Sequence, residues 1–394
     1  MKRKRSVRDL NVRDKRVFVR VDFNVPLEGK RIVDDARIRA AVPNVKALQE
    51  CGAKVILASH LGRPDGKVVE DLRLAPVAER LETLLGTPVT MASDSVGPDV
   101  ERAVNALQSG EVLLLENLRF HAEEEQNSPA FAKQLAALAD VYVNDAFGTA
   151  HRAHASTEGV ARLLPSAAGL LMLKEIEVMG KALLRPDRPF VAIVGGKKVS
   201  DKIGVLNNLI QRADKILIGG AMANTFLMAH GLDIGKSYFE AGAVEVASSL
   251  LKEAKAAGKT FLLPRDAVVA TAIDEKALHH VVPVTGIPPL LIVVDIGPET
   301  VQQYKKELAG ARTVIWNGPM GVTEIDAFAH GTYEIARALG DLDGTTIVGG
   351  GDSVAALEQA GLADRITHIS TGGGASLEFL EGRDLPGIAA LTDA

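Results

Sequence analysis

Phe190-Val191-Ala192-Ile193-Val194-Gly195-Gly196-Lys197-Lys198-Val199 decides the fold. Its five apolar residues do not alternate, the pattern of a strand covered on both faces. Two glycines end the run, and a segment of helical spacing, Val199–Arg212, follows. The next apolar run, 215–218, begins directly afterwards. Strand, glycine turn, helix and strand form one right-handed crossover of a parallel sheet.

The same unit recurs on both sides. Apolar runs fall at 17–23, 54–59, 112–116 and 140–144 in the first half. In the second half, beyond 190–194 and 215–218, they fall at 261–263, 291–296, 313–316, 345–348 and 366–369. Between them, Ala241–Gly258 and Asp326–Gly340 have apolar residues at helical spacing. A chain of 394 residues is too long for one ordinary core. The reading is an α/β protein with two Rossmann-like domains, each a parallel sheet flanked by helices. Leu170–Leu184 reads as one amphipathic helix, broken by Arg185-Pro186-Asp187-Arg188-Pro189, so the boundary is expected within 170–189. Gly372-Gly373-Gly374 is a second discontinuity, the mark of a hinge or of close approach to a ligand.

Composition excludes several classes. Hydrophobic residues are 47% and charged residues 24%, the mixture of a soluble globular protein. No apolar run approaches the roughly 18 residues of a bilayer span. A net charge of -5 argues against a general nucleic-acid binder. The first sixteen residues carry eight Lys or Arg against two Asp, but they run straight into Val17–Val21 and read as a solvated start to the first strand. A single cysteine, Cys51, excludes an intrachain disulfide framework and any multi-Cys metal site. The cytoplasm is the default compartment, with neither membrane nor nucleic acid as partner.

In open parallel sheets, ligands bind at the carboxyl ends of strands. In the first half these ends are rich in Arg and His: Asp22-Phe23-Asn24, Ser59-His60-Leu61-Gly62-Arg63, Glu116-Asn117-Leu118-Arg119, and Asn144-Asp145 followed by His151-Arg152-Ala153-His154. Arg37 follows soon after the first strand. One such arginine is ordinary surface decoration. Their recurrence at strand ends describes a site for a small, multiply anionic substrate.

The second half ends its strands in glycine: Gly195-Gly196, Gly219-Gly220, Gly297-Pro298, Asn317-Gly318-Pro319 and Gly349-Gly350-Gly351-Asp352-Ser353. Glycine lets backbone N–H groups approach a phosphate. A helix starting at Asp352-Ser353 would present its positive end to one. Lys198 and Lys202, four apart on a helix starting near 199, are expected to face the same phosphates. Asp352 is the candidate Mg²⁺ ligand. The near P-loop at Gly231–Ser237 is one residue short, and G-x-G-x-x-G is missing, which counts against an NAD-dependent oxidoreductase. His151 and His154 read as loop or packing residues and His279-His280 as solvent-facing. The other rival, a non-enzymatic two-lobed binding protein, would not need a lobe lined with Gly and Lys.

These residues fall into longer motifs. Arg20–Pro26, Ser59–Pro64, Leu115–Phe120, Asn144–Gly148, Ala150–Ser156, Trp316–Gly321, Gly349–Ser353 and Ser370–Ser376 stand in one order along nearly the whole chain. In this the chain resembles the phosphoglycerate kinase family. The resemblance implies reversible transfer of the acyl phosphate of 1,3-bisphosphoglycerate to Mg-ADP, giving 3-phosphoglycerate and ATP, by in-line transfer after domain closure in a monomer. It implies a phosphoglycerate-binding domain at 1–170 with 375–394, a hinge helix and linker at 171–188, and a nucleotide-binding domain at 189–374. By position it assigns Asp22, Phe23, Asn24, Arg37, His60, Leu61, Gly62, Arg63, Arg119 and Arg152 to the phosphoglycerate. It assigns Gly196, Lys202, Gly220, Asn317, Glu324, Gly350, Gly351, Asp352 and Ser353 to the nucleotide, with Glu324 on the ribose and Asp352 on Mg²⁺. Arg37, Lys198, Lys202, Gly351 and Gly374 form the implied catalytic set.

Three positions depart from the family pattern: Lys197 in Gly-Gly-Lys-Lys, Thr323 after Gly-Val, and Arg265 in Leu-Pro-Arg-Asp. They bear on nucleotide affinity and base preference. Donor and acceptor are both anionic, and two unit charges 4 Å apart interact by roughly 4 kcal/mol at an effective dielectric near 20. Cations around the transferring group are therefore the main demand on the protein, and no general base is needed when ADP attacks.

Overall fold

A computed structural model describes residues 2–394. The chain divides into two compact units, residues 1–177 with 384–394, and residues 178–383. The first boundary falls inside the helix Leu170–Leu184.

The first unit holds β1 (Arg16–Arg20), the short hairpin β2 (Leu27–Glu28) and β3 (Arg31–Ile32), β4 (Lys54–Ala58), β5 (Val89–Met91), β6 (Val112–Leu114), β7 (Val141–Asn144) and β8 (Ser166–Ala168). Six of these form one sheet in the order β5-β6-β4-β1-β7-β8, and every pairing is parallel. Val17, Phe18, Val19, Val55, Ile56, Leu57, Leu113 and Leu114 are buried. Helices cover both faces, as the unalternating runs require. Each fully buried Val, Leu or Ile stabilises the unit by roughly 1.5–3 kcal/mol relative to exposure. The order turns between β1 and β7, and there the carboxyl ends of neighbouring strands part.

The second unit continues with β9 (Phe190–Val194), β10 (Lys215–Ile218), β11 (Thr260–Leu262), β12 (Asp266–Ala270), β13 (His279–Pro283), β14 (Ile292–Ile296), β15 (Thr313–Asn317), β16 (Thr345–Gly349) and β17 (His368–Ile369). Six form a second parallel sheet, β11-β10-β9-β15-β16-β17, the doubly wound dinucleotide-fold order with its switch between β9 and β15. The other three form a small sheet, β13-β12-β14. It corrects the reading of 291–296 as a parallel strand: β14 pairs antiparallel with β12. An apolar run identifies a buried strand but not the direction of its neighbour.

Three further expectations shift. The helix read at Val199–Arg212 opens as a 3₁₀ turn, Ser200–Lys202, before Ile203–Arg212. Asp326–Gly340 is likewise a 3₁₀ turn, Asp326–Phe328, and a helix, His330–Gly340. The helix Gly374–Leu380, read as the start of a returning tail, stays with the second unit, where Asn208 Nδ2 donates to Leu380 O at 2.6 Å. The segment that joins the first unit begins at 384. There Gly387 N donates to Ala150 O at 2.8 Å, Arg5 N to Thr392 O at 2.9 Å, and Ala394 N to Arg3 O at 2.9 Å. Among the described residues, no helix is long and apolar enough to cross a membrane.

Candidate active site

In the first unit the chain leaves β1 at Arg20 and turns, because Asp22 and Asn24 commit their side chains locally. Asp22 Oδ1 accepts Asn24 N at 3.2 Å, and Asn24 Oδ1 accepts Gly62 N at 2.8 Å, tying the β1 loop to the β4 loop. Arg37, on the helix Ala36–Glu50, donates from Nη1 to Asp22 Oδ2 at 2.9 Å and to Asn24 O at 3.2 Å. Arg119 lies in a 3₁₀ turn after β6, whose Asn117 accepts Arg119 N at 3.1 Å. Its Nη1 donates to Gly62 O at 2.9 Å. Gly62 itself sits at φ +64, a conformation side chains resist.

The charges sense one another. His60 is almost fully buried, and its pKa lies well below the ordinary value, first through burial and then through Arg20, Arg119, Arg37 and His154. His154 is lowered to about 3, again by burial first, then by Arg20, Arg119 and Arg152. Burial, with Arg20 and Arg152, also lowers Arg119, which Glu125 opposes. Arg37, His60, Arg119 and Arg152 are thus gathered at one end of the sheet. Arg63 is exposed in the loop after β4. Phe23 and Leu61 lie in the hydrophobic core, so they offer a ligand main chain only. Arg20, which the sequence reading left unassigned, joins the group as a fully buried cation. Its signal was a charge inside the apolar run Val17–Val21.

In the second unit the loops after β9 and β15 interlock. Gly195 N donates to Asn317 O at 2.9 Å and Gly196 N to Pro319 O at 3.0 Å. Gly220, at φ +66, donates to Met320 O at 2.9 Å, and a Cβ on it would come within 2.6 Å of Gly196 N. Beside these loops lies a cavity of about 640 Å³, lined among others by Gly196, Lys197, Gly220, Tyr238, Glu324 and Asp352. Much of its wall is apolar, from Val293, Ile296, Met320 and Val322.

Lys202 Nζ donates to Asn317 Oδ1, while Asn317 Nδ2 is buried without a partner. Burial lowers Lys202 to about 8, against the opposing pull of Asp201 and Asp352. The helix Gly351–Gln359 follows Gly350, at φ +95, and no side chain caps its first amides. Ser353 is buried, and its Oγ accepts Gly318 N at 2.9 Å. Gly374 is exposed at the start of its helix. Lys198 is exposed in the loop before the 3₁₀ turn, so it and Lys202 do not share one α-helical face as the four-residue spacing suggested. Lys197 extends over the Tyr238 ring, 5.0 Å from its centroid. His279 and His280 are exposed on β13.

Arginines at the strand ends of one sheet and phosphate-type glycine loops at those of the other define an enzyme class, a phosphotransferase serving two anionic ligands. A phosphoglycerate kinase family profile matches residues 7–383. The phosphoglycerate kinase of Moorella thermoacetica is 62% identical over 390 residues, covering 99% of both chains. That of Thermomicrobium roseum is 57% identical over 389 residues, again with 99% coverage of both. Among solved structures, phosphoglycerate kinase from Coxiella burnetii superposes with a TM-score of 0.90 at 41% identity, covering 98% of each chain. The enzyme from Pyrococcus horikoshii gives 0.83 at 37% identity, covering 99% of this chain and 98% of its own. The chain belongs to the phosphoglycerate kinase family, kinases whose acceptor is a carboxyl group.

Proposed function

We propose that this chain transfers the acyl phosphate of 1,3-bisphosphoglycerate to Mg-ADP, reversibly, with the phosphoglycerate bound by the unit of residues 1–177 and the nucleotide by the unit of residues 178–383. The observation that carries this division is the segregation of chemistry: buried and half-buried arginines at one set of strand ends, glycine amides and Lys202 at the other.

Arg37, oriented by Asp22, and Arg119, oriented by Gly62 O, supply fixed positive charge to carboxylate and phosphate oxygens. Arg63, exposed, and Arg152, half-buried, add two further cations. On the nucleotide side, Gly196 and Gly220 let the chain approach the base, and Glu324 is offered to the ribose. Gly350, Gly351 and the uncapped helix start offer amides to phosphate. Lys202, oriented by Asn317, and Lys198 neutralise charge as it develops on the migrating group. Asp352 has an exposed carboxylate on the cavity wall, which fits a Mg²⁺ held by one carboxylate and by nucleotide phosphates. Such an ion supplies charge neutralisation when bound. Gly374 contributes a backbone N–H. Transfer between ligands on separate units requires their reacting oxygens to meet. A closing step, with the helix Leu170–Leu184 as hinge, therefore belongs to the proposal.

A coupled assay tests it. Purified protein should form ATP from the acyl phosphate and Mg-ADP; protein that forms none overturns the reading.

A further inference from the structure

Behind the arginine-rich strand ends runs a buried chain of hydrogen bonds with no place in the mechanism above. Glu124 is completely buried. It accepts Ser156 N at 2.9 Å on Oε2 and the Ser156 hydroxyl on Oε1. With its only proton committed to Glu124, Ser156 Oγ meets its other neighbour, Arg20 Nε at 2.8 Å, as an acceptor. Arg20 Nη1 donates to Val21 O, and Nη2 lies 3.2 Å from His60 Nδ1. A guanidinium has donors and no acceptor, and it stays charged. His60 Nδ1 must therefore be a lone pair.

We infer that Glu124, acting through Ser156 and Arg20, fixes His60 as a neutral imidazole carrying its proton on Nε2, and that this N–H is a donor to an anionic oxygen of the phosphoglycerate. The inference rests on the phosphoglycerate reading of this strand end. Nε2 lies on the far side of the ring from Arg20 and makes no hydrogen bond to the described residues. The main chain around the ring is also fixed: Ser59 Oγ donates to His60 O at 3.0 Å and accepts Phe23 N at 2.9 Å. Burial comes first among the causes that disfavour a second proton on the His60 ring, followed by Arg20, Arg119, Arg37 and His154. Of the acids in this cluster, Glu124 is engaged by Ser156 and lies 4.0 Å from His154 Nδ1, and Asp22 is engaged by Arg37 at 2.9 Å. Glu124, Ser156 and Arg20 are thus positioning residues, and His60 adds hydrogen-bonding direction to a site where the arginines add charge.

The test is ¹⁵N NMR of the His60 ring in the full chain, with 3-phosphoglycerate binding followed by calorimetry. The expected spectrum is the Nε2–H tautomer, unchanged from pH 5 to pH 8. Ser156→Ala should release the ring to a tautomer mixture and weaken 3-phosphoglycerate binding about ten- to a hundredfold, leaving nucleotide binding unchanged; Ser156→Thr, which keeps the hydroxyl, should restore both. A ring protonated on Nδ1, or one titrating near its ordinary value, in protein that binds 3-phosphoglycerate overturns the inference. So does a Ser156→Ala protein with unaltered tautomer and affinity. If Ser156→Ala does not fold, the tautomer of the unmodified chain decides. Unmodified protein that binds no 3-phosphoglycerate overturns the functional reading instead, and the tautomer is still read.

Discussion

Asp145 Oδ1 accepts the backbone N–H of Leu171 at 2.8 Å and of Met172 at 3.2 Å, so a buried carboxyl caps the helix Leu170–Leu184. Its other oxygen is buried without a partner. Burial pushes the carboxyl up to about 7, against the pull of the two amides.

The sign of the pH effect follows. The unfolded carboxyl ionises near 3.8, while the folded one keeps its proton to about 7. Between those values the native state binds more protons, so this group's contribution falls as pH rises and is lowest above 7. Asp145→Asn keeps an acceptor for the helix and has no proton to lose. Urea midpoints from pH 4 to 8 should decline less steeply in the variant than in the parent. Asp295, raised by burial to about 8, acts in the same direction, so some slope remains. Identical slopes would show that Asp145 ionises normally in the folded chain.

Lys202 makes a second pH prediction. Burial lowers its pKa to about 8, and phosphates beside it would raise it again. Nucleotide binding at pH 8.5 should therefore take up a proton. Calorimetry in buffers of different ionisation enthalpy measures this directly. Lys202→Met should abolish the uptake and weaken binding; uptake that persists in the variant would assign it to another group.

Arg37→Ala should lower kcat by about 10²–10³-fold with a smaller rise in KM for the phosphoglycerate, the signature of a charge needed most in the transition state. Steady-state kinetics in the ATP-forming direction separate the two. A change confined to KM would make Arg37 a simple substrate anchor.

Lys197→Ala should raise the nucleotide KM about two- to fivefold at nearly constant kcat, since its ammonium lies over Tyr238 on the cavity wall and Lys197 is not among the residues assigned to transfer. Equal KM values for parent and variant would show that this cation is solvated and idle.

Much of this was legible in the chain, for identifiable reasons. Strands buried on both faces, such as β1, β4, β9 and β15, declare themselves by unbroken apolar runs. Strand β8 does not: Ser166, Ala167 and Ala168 are small and are buried only because β7 and the chain start lie against them. Strand β13 is exposed and begins with two histidines, and β5 is three residues long. Arg37, His60 and Arg119 could be found because they follow strands. The Lys198–Lys202 pairing failed because a spacing of four means one face only at 3.6 residues per turn. The 3₁₀ turn at Ser200–Lys202 winds at 3.0. The Glu124–Ser156–Arg20 chain was invisible because residues 20, 124 and 156 meet only through the fold.

Residues 384–394 belong to the unit that opens the chain, yet the ribosome makes them after every residue of the other unit. The backbone partners they bring to Arg3, Arg5 and Ala150 are therefore missing throughout most of translation. The unit begun first is completed last, and a nascent chain stalled in the second unit would expose an unfinished first one.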